Sequence, residues 1–414
     1  MIKNKIISSV FILVLFYFPI HATYLFINTH LNLEFREKFD WENLYPFSNN
    51  HQKEINKNIN IFETINKKIK SKINYAEKSF NSYIPYRYKI CEIQMVISKY
   101  LGIKLFLDYE GLVVLNNGYL DTYSKDCSPS YAIEKTLNLF NYIKSLKTDF
   151  VFIIYPCKNS KYDNQLPKGL KDNANIACDK FLSALIENNV KTLDLRENAN
   201  KQYKSQYEMF FKTDHHWKPS SGLWAAREIC KYLNVEFNWN INTNLLDMDK
   251  FKITTKPNFF LGSLGKKISL TYIKPDDFDI IEPCYETNFQ RLCLTWENAT
   301  GSFNKVMFYN KHIENCNYYE SNPYYYYLRR DEPYLRLINN SDFAYNKKVL
   351  LIRDSFNSVV SPFLALGIKN LTMVDTRYFS GSLRTIIEKE KYDLIMIAYN
   401  ASIISDKSKL LDFD

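Results

Sequence analysis

The sequence contains no block of like charge and no recognised nucleic-acid-binding motif. Its 54 lysines and arginines exceed its 45 aspartates and glutamates by nine, and both signs are spread along all 414 residues. Such a spread is typical of an ordinary solvated surface. We therefore expect no nucleic-acid partner.

Histidine and glycine are scarce, and the cysteines do not have the spacing of a zinc module. The chain has six histidines, 10 glycines and eight cysteines. The few glycines, beside abundant Asn, Lys, Ile and Tyr, indicate a compositional bias and not a function. If disulfides form, Cys284 and Cys293 are the favoured pair because they bracket a short segment, and free thiols are the open alternative. We expect no metal and no cofactor.

Long apolar runs are confined to the N-terminus, where one extends from Ile6 to about Ile27. About 20 such residues suffice for a helix that crosses a bilayer. Lys3 and Lys5 precede the run, which favours a cytoplasmic N-terminus and places the rest of the chain outside. We expect an anchor over residues 1–28 and a single-pass cell-membrane protein with an extracytoplasmic domain. A cleaved signal peptide is the alternative, although Ile20-His21-Ala22 is a poor cleavage site.

The remaining chain divides into a linker and a domain. Residues 29–88 are polar, and their isoleucines recur at rough helical spacing, which favours an amphipathic helix over a loosely ordered stalk. Residues 89–414 form the domain, with an irregular, β-rich insertion at about 236–345. The tyrosine cluster at 317–330 is expected to form a packed aromatic layer, and stacking on sugar rings is the alternative.

The domain alternates strands with helices. A hairpin is predicted over 110–120, a buried strand over 149–156, a helix over about 172–188 and a strand over 190–195. Further strands are predicted at 348–353, 371–374 and 393–398, with helices between them. This order predicts an α/β fold with a doubly wound parallel sheet and right-handed crossovers.

Polar residues follow three successive strands near the C-terminus. Ser355 follows the first, Arg377 and Tyr378 the second, and Asn400 the third. Ligands of open parallel sheets bind beyond the carboxyl ends of the strands, so we expect these side chains to meet at one edge. Ser355 stands at a strand-to-helix turn, where helix amides stabilise developing negative charge.

The stretch FFKTDHHWKPSSGLWAA (210–226) supplies the base that a serine nucleophile needs. In extended chain Asp214 and His216 face the same side, whereas His215 turns away. His216 would accept the proton from Ser355, Asp214 would orient the ring, and Trp217 would form a wall of the cleft. The alternatives are a helix N-terminus with an acidic cap and a packed tryptophan, or a metal site, for which this is a thin ligand set.

The same residues resemble a known family. TDHHWKPSSGLWAA, followed by LLIRDSFNS, DTRYF and LIMIAYN, is similar to the DHHW-motif proteins, which are relatives of the AlgJ/AlgX-type alginate O-acetylation proteins with an SGNH-hydrolase-like fold. VFIIYPCKNSKY also resembles that family's strand with its Pro-x-Lys ending. The likeness extends from about residue 110 to the C-terminus. One departure is Arg353, where the family has glycine, and it could alter the oxyanion hole.

The resemblance implies a triad of Asp214, His216 and Ser355, with Arg377 and Tyr378 close by. It further implies O-acetyl transfer to an exported or cell-surface polysaccharide, with an acyl donor supplied by a membrane-bound O-acyltransferase partner. Asn400 is a further oxyanion candidate. A carbohydrate esterase with the same fold and a non-catalytic glycan-binding scaffold are the alternative functions.

Overall fold

The computed structural model describes residues 87–413, except for residues 296, 315–316 and 406–407. The chain divides into two units, Met1–Gln94 and Met95–Asp414. Of the first unit, only residues 87–94 are described, and they are helical. The expected anchor and nearly all of the linker lie outside the described residues. Within the described part, no helix is long and apolar enough to cross a membrane.

The second unit alternates strands and helices in its first half and again at its C-terminal end. The helices are α1 (Arg87–Tyr100), which begins in the first unit, α2 (Ser130–Ser145), α3 (Asn173–Glu187), α4 (Leu195–Gln202), α5 (Pro219–Glu236), α6 (Ser263–Ile268), α7 (Phe303–Met307), α8 (Lys311–Glu314), α9 (Asn357–Gly367) and α10 (Leu383–Lys389). The strands are β1 (Leu105–Phe106), β2 (Leu112–Val114), β3 (Leu120–Thr122), β4 (Asp149–Tyr155), β5 (Thr192–Asp194), β6 (Phe251–Phe260), β7 (Asp276–Pro283), β8 (Phe289–Cys293), β9 (Ala299–Gly301), β10 (Tyr334–Asn339), β11 (Tyr345–Arg353), β12 (Ile368–Val374) and β13 (Leu394–Asn400).

The central sheet has eight strands in the order β5-β4-β13-β11-β12-β10-β8-β9. The five strands from β5 to β12 are parallel to one another, as the sequence predicts. The last three are antiparallel, so the sheet is mixed and not purely parallel. The reason is that the insertion supplies β8, β9 and β10. These strands continue the sheet from β12, whose edge would be exposed without them.

The parallel half of the sheet is covered on both faces. Alternate residues of β4 enter different cores: Val151 and Ile153 pack in one, whereas Phe150 and Phe152 pack in the other. The first core contains apolar residues of α5 and α9, and the second contains those of α2, α3 and α10. This two-sided burial explains the unbroken apolar run at 150–155.

The predicted hairpin is present as β2 and β3, which pair antiparallel with Val114 opposite Leu120. Gly118 has φ 81°, a left-handed conformation that glycine adopts without strain. The insertion, which the sequence predicts to be irregular and β-rich, also contains helix: Ser263–Ile268 is α6. The Gly262 N–H donates to Thr213 Oγ1 (2.8 Å), and this contact outside the segment fixes where the helix starts.

The tyrosine cluster is largely interior. Tyr324, Tyr326 and Tyr327 are buried, and Tyr326 stacks on Phe308 with ring centroids 4.4 Å apart. These three rings form the packed aromatic layer that the sequence favours. Of the two alternatives left open for Cys284 and Cys293, the structure has free thiols: Cys284 is exposed, and the Cys293 sulfur accepts a hydrogen bond from Arg291 (3.3 Å). Cys284 follows β7, whereas Cys293 is the last residue of β8, and these two strands belong to different sheets.

Candidate active site

Ser355 lies in the turn between β11 and α9, at the carboxyl edge of the parallel strands. The Asp354 carboxylate under this turn accepts hydrogen bonds from the N–H groups of Asn400 (2.7 Å) and Phe356 (3.0 Å) and from Asn357 Nδ2 (3.2 Å). Burial raises the pKa of Asp354 to about 6, since desolvation outweighs these donors. Asp354 therefore ties the turn that carries Ser355 to the end of β13.

The structure brings Asp214, His216 and Ser355 together although 139 residues separate the last two. His216 Nε2 lies 2.8 Å from Ser355 Oγ, and His216 Nδ1 lies 2.6 Å from Asp214 Oδ1. The backbone N–H of His216 also donates to Asp214 Oδ1 (2.9 Å). These are the distances at which a serine proton can pass to an oriented imidazole.

Asp214 is buried, and its carboxylate is held by the neighbouring backbone of Gly262 and Ser263. Ser263 N–H donates to its Oδ2 (2.6 Å), and the backbone of Gly262 lies so close that an added Cβ would be 2.2 Å from Asp214 Cβ. Burial raises the pKa of this carboxyl, but His215, His216 and the donated hydrogen bonds hold it well below its usual range. Asp214 therefore stays ionised and can stabilise a charged His216 ring.

Lys158 supports the same loop from inside the protein. It is 1% exposed, and its Nζ donates to the carbonyl oxygens of Leu120 and Asp214. Desolvation lowers the pKa of Lys158, and Asp121, Asp214 and Asp276 oppose this shift. The buried ammonium thus joins the β3 strand to the backbone of Asp214.

His215 does not turn away from its neighbours, as strict alternation predicts. Its ring contacts that of His216 with centroids 3.7 Å and planes 39° apart, and its Nδ1 lies 2.9 Å from Ser263 Oγ. The segment is a turn and not an extended strand, because the Asp214 carboxylate accepts the His216 N–H two residues on. Burial and the adjacent His216 lower the pKa of His215.

Trp217 lies beneath the site instead of forming a wall of the cleft. It is fully buried, its indole N–H donates to the Phe356 carbonyl (3.1 Å), and its ring packs on Tyr155 (4.7 Å). The expectation that Trp217 forms a wall of the cleft is therefore wrong. Another aromatic residue covers the His216 ring: Tyr324 stacks on it with centroids 4.1 Å apart and planes 15° apart.

Arg353 replaces the family's glycine without entering the site. Its side chain is buried and donates to Asp331 Oδ1 (3.1 Å), with longer contacts to the Asp354 carbonyl and Ser358 Oγ (both 3.4 Å). Arg353 thus stabilises the turn that carries Ser355 from the buried side. No hydrogen bond to another described residue uses the backbone N–H of Ser355, which leaves this donor available for an oxyanion.

The other rim candidates divide into two groups. Arg377 is salt-bridged to Asp375 (2.6 Å) and lies 3.6 Å from Asp331, and the neighbouring Tyr378 is 54% exposed. The Asn400 side chain is held inside, because its amide nitrogen donates to Pro156 O (2.8 Å) and its oxygen accepts from Ser402. Asn400 acts on the nucleophile turn through its backbone N–H.

Sequence reasoning did not identify Lys158, Ser263, Tyr324 or Asp331 as site residues. Lys158 stands in the quoted Pro-x-Lys stretch after β4, which is the one available signal. Ser263, Tyr324 and Asp331 come from the insertion, where no periodicity relates them to the DHHW stretch.

A metal could be considered at Asp214, His215 and His216, whose ligand atoms lie within 4.8 Å of one another. The hydrogen bonds, however, already occupy these atoms: His216 Nδ1 contacts Asp214, and His216 Nε2 contacts Ser355. Such a donor set favours proton transfer along a chain of hydrogen bonds.

Residues 138–258, which include Asp214 and His216 but not Ser355, match the family of the SGNH hydrolase-like domain, acetyltransferase AlgX. The resemblance to AlgX-type proteins is confirmed. We use the name AlgX-like domain for residues 95–414. This domain has an SGNH-like α/β fold with a mixed sheet. A search of curated proteins finds no match to the sequence.

Solved structures share the fold of the AlgX-like domain. Bacillus cereus PatB1 with a sulfonyl adduct is 18% identical with a TM-score of 0.59, over 73% of this chain and 98% of that one. A DHHW family protein from Eubacterium siraeum is 15% identical with a TM-score of 0.56, over 73% and 94%. At these identities the likeness extends to the fold alone.

Proposed function

We propose that this protein is a serine-dependent O-acetyltransferase that modifies a cell-surface or exported polysaccharide. The observation that carries the proposal is the continuous chain of hydrogen bonds from Asp214 through His216 to Ser355 Oγ. A structural histidine does not need both ring nitrogens aligned between a buried carboxylate and a serine at a helix N-terminus.

In the first half-reaction Ser355 Oγ attacks the carbonyl carbon of an acyl donor while His216 Nε2 takes the hydroxyl proton. The bond from that carbon to the donor's leaving oxygen breaks, and His216 returns the proton to that oxygen. Ser355 then carries the acyl group as an ester. Asp214, whose pKa is lowered, remains negative and stabilises the imidazolium in between.

The oxyanion formed during attack would be stabilised by backbone donors. The N–H of Ser355 is available, and the turn leads directly into α9, whose N-terminus carries partial positive charge. Arg353, bound to Asp331, lies behind the turn and leaves this side open.

The comparisons support the reaction class. The matched family is described as an acetyltransferase domain, and the PatB1 structure of the same fold was obtained with a sulfonyl adduct. A sulfonyl group attaches to an activated nucleophile, and Ser355 is the nucleophile that the geometry of this chain favours.

The proposed function also requires the acyl group to reach a domain outside the cytoplasm. We propose that residues 1–28 anchor the chain in the cell membrane with the AlgX-like domain outside the cytoplasm. A membrane-bound O-acyltransferase partner would then pass the acyl group across the bilayer, because activated acyl donors are made inside the cell.

The test is chemical labelling of the full-length protein. A fluorophosphonate should modify Ser355 in the wild type and in the control Ser183→Ala, an exposed serine on α3. Ser355→Ala should lose the label, and its turnover of 4-nitrophenyl acetate should fall at least about a thousandfold. Peptide mass spectrometry locates the label.

Two results would count against the proposal. Equal labelling of Ser355→Ala and wild type would remove Ser355 as nucleophile and favour a non-catalytic scaffold. Release of free acetate alone, with no acyl-sugar from any oligosaccharide offered, would make the protein an esterase.

A further inference from the structure

A cleft of about 520 Å³ opens beside the triad and has no part in the steps described so far. His215 and Phe356, the sequence neighbours of His216 and Ser355, line it. From there it continues past the ends of β4 and β13 to the loop after β3 and the start of α3. Its volume is in the range of ligand pockets, about 300–1,000 Å³.

The lining is rich in hydroxyl and amide groups. These groups both donate and accept hydrogen bonds, as the hydroxyls of a sugar do. The lining side chains of this kind include Thr122, Ser124, Asn159, Asn173, Ser402 and Ser405. The chemistry of the lining therefore fits a carbohydrate better than an apolar acyl chain.

The cleft is rigid because its segments are joined to one another. Ser124 Oγ and Ser405 Oγ lie 2.7 Å apart, which links the loop after β3 to the segment after β13. Asn173 Nδ2 donates to the carbonyl oxygens of Ser124 (3.0 Å) and Lys125 (3.1 Å). Asn159 Nδ2 donates to Asp172 Oδ2 (2.9 Å). A site fixed in this way loses little entropy when a ligand binds.

Two lysines at the cleft keep their charged groups available. Lys125 and Lys171 are exposed and line the cleft, and neither forms an ion pair with any carboxylate that the structure describes. Their ammonium groups can therefore donate to sugar oxygens.

His215 stands at the end of the cleft nearest the nucleophile. Its Nδ1 lies against Ser263 Oγ, whereas its Nε2 makes no hydrogen bond with a described residue. Its ring contacts that of the proton-accepting His216, with centroids 3.7 Å apart. Tyr324 covers one face of the His216 ring, and the cleft reaches the triad through the neighbouring residues His215 and Phe356.

We propose that this cleft binds the acceptor sugar and that His215 holds the hydroxyl that attacks the acyl-enzyme. The inference rests on the proposed acyltransferase function. The sugar oxygen bonds to the acyl carbon while its proton passes to His216 Nε2. The bond from that carbon to Ser355 Oγ then breaks, and His216 returns the proton to Ser355.

The experiment measures how the acyl-enzyme divides between sugar and water. Full-length protein receives 4-nitrophenyl acetate with cellopentaose, chitopentaose or xylopentaose at rising concentration, and acyl-sugar and free acetate are quantified. For the double variant Lys125→Ala/Lys171→Ala, the KM for the sugar should rise about three- to tenfold. Lys168→Ala, an exposed lysine near Lys171 that does not line the cleft, is the matched control and should match wild type.

The second variant, His215→Phe, retains a ring against His216 but removes the hydrogen-bonding nitrogen. At saturating sugar its ratio of acyl-sugar to acetate should fall about three- to tenfold, and His215→Gln should recover part of the loss. The rate of fluorophosphonate labelling at Ser355, measured in every variant, reports whether the nucleophile is intact.

The outcomes separate the two proposals. An unlabelled Ser355 in the wild type would defeat the acyltransferase function itself. Labelled variants whose sugar KM and product ratio equal those of Lys168→Ala would defeat only the cleft assignment. If all three sugars fail as acceptors with a labelled wild type, the cleft is not a site for such sugars.

Discussion

Buried charges around Ser355 are matched by opposite charges from other segments of the chain. Arg353, on the strand before Ser355, is fully buried and is paired with Asp331, which also lies 3.6 Å from Arg377. Burial raises the pKa of Asp331, but Arg353 and Arg377 together lower it by more than burial raises it. The net shift of the pKa is therefore downward. At the residue scale, this pair holds the turn of Ser355 in place.

Asp331→Asn should lower the free energy of unfolding by about 3–5 kcal/mol at pH 7, because it leaves Arg353 buried without a charged partner. The lowered pKa means that the stabilisation is complete above the usual aspartate pKa, about 4, and is lost as pH falls through the lower folded value. The difference in the free energy of unfolding between wild type and variant should therefore be smaller at pH 3 than at pH 7. Urea unfolding at both pH values measures this difference.

The exposed Asp342 provides the control, and Asp342→Asn should stay within about 0.5 kcal/mol of wild type at pH 7. A gap for Asp331→Asn that stays the same size at pH 3 would show that the effect does not come from the charge.

At the scale of elements, two helices bring the motifs together. α5 begins just after the DHHW stretch and α9 just after Ser355, and their buried faces pack in one core. At their contact, a Cβ on Gly222 would lie 2.2 Å from the Val359 carbonyl oxygen. Only glycine permits this approach, so Gly222 helps to set the distance between His216 and Ser355.

Gly222→Ala should force the helices apart. We expect the free energy of unfolding to fall by about 1–3 kcal/mol. We also expect 4-nitrophenyl acetate turnover to fall up to about a hundredfold, because a displacement of about 1 Å can cost that much. Thermal unfolding and steady-state kinetics measure the two effects. The control Ser220→Ala, on the first turn of the same helix, should change neither the free energy of unfolding nor the turnover. If Gly222→Ala kept wild-type stability and turnover, the contact would relax without moving the triad.

At the scale of the whole molecule, the insertion completes both the sheet and the site. Its strands β8, β9 and β10 extend the sheet beyond β12, and its residues Ser263, Tyr324 and Asp331 contact Asp214, His216 and Arg353 respectively. The insertion is therefore part of one fold with the parallel strands and not an appendage.

The proposed extracytoplasmic location can be tested with Cys284, an exposed free thiol after β7. A membrane-impermeant maleimide should label the wild type equally in intact and lysed spheroplasts, and Cys284→Ser should lose the label assigned to that residue by mass spectrometry. Labelling of Cys284 that requires lysis would place the domain in the cytoplasm.

Local pattern predicted much of the parallel half of the fold. The apolar run at 150–155, the strand-to-helix turn at Ser355 and the hairpin at Gly118 each follow from neighbouring residues, because period and turn chemistry are local properties. The same pattern placed Asp214, His216 and Ser355 at loops that could meet. It misplaced His215, because strict alternation does not hold in a turn whose carboxylate binds its own backbone. It also misplaced Trp217, which is buried beneath the site with its indole N–H bound to the Phe356 carbonyl.

The sequence by itself determined which side chains are candidates for the proposed chemistry and which strands and helices carry them. Only the tertiary structure decided how they are held: the mixed sheet, Lys158 under Asp214, Tyr324 on His216 and Asp331 on Arg353. The physical reason is that these partners are far apart in the chain. Long-range packing and charge pairing bring them together, and no local period records which distant residue fills a buried site.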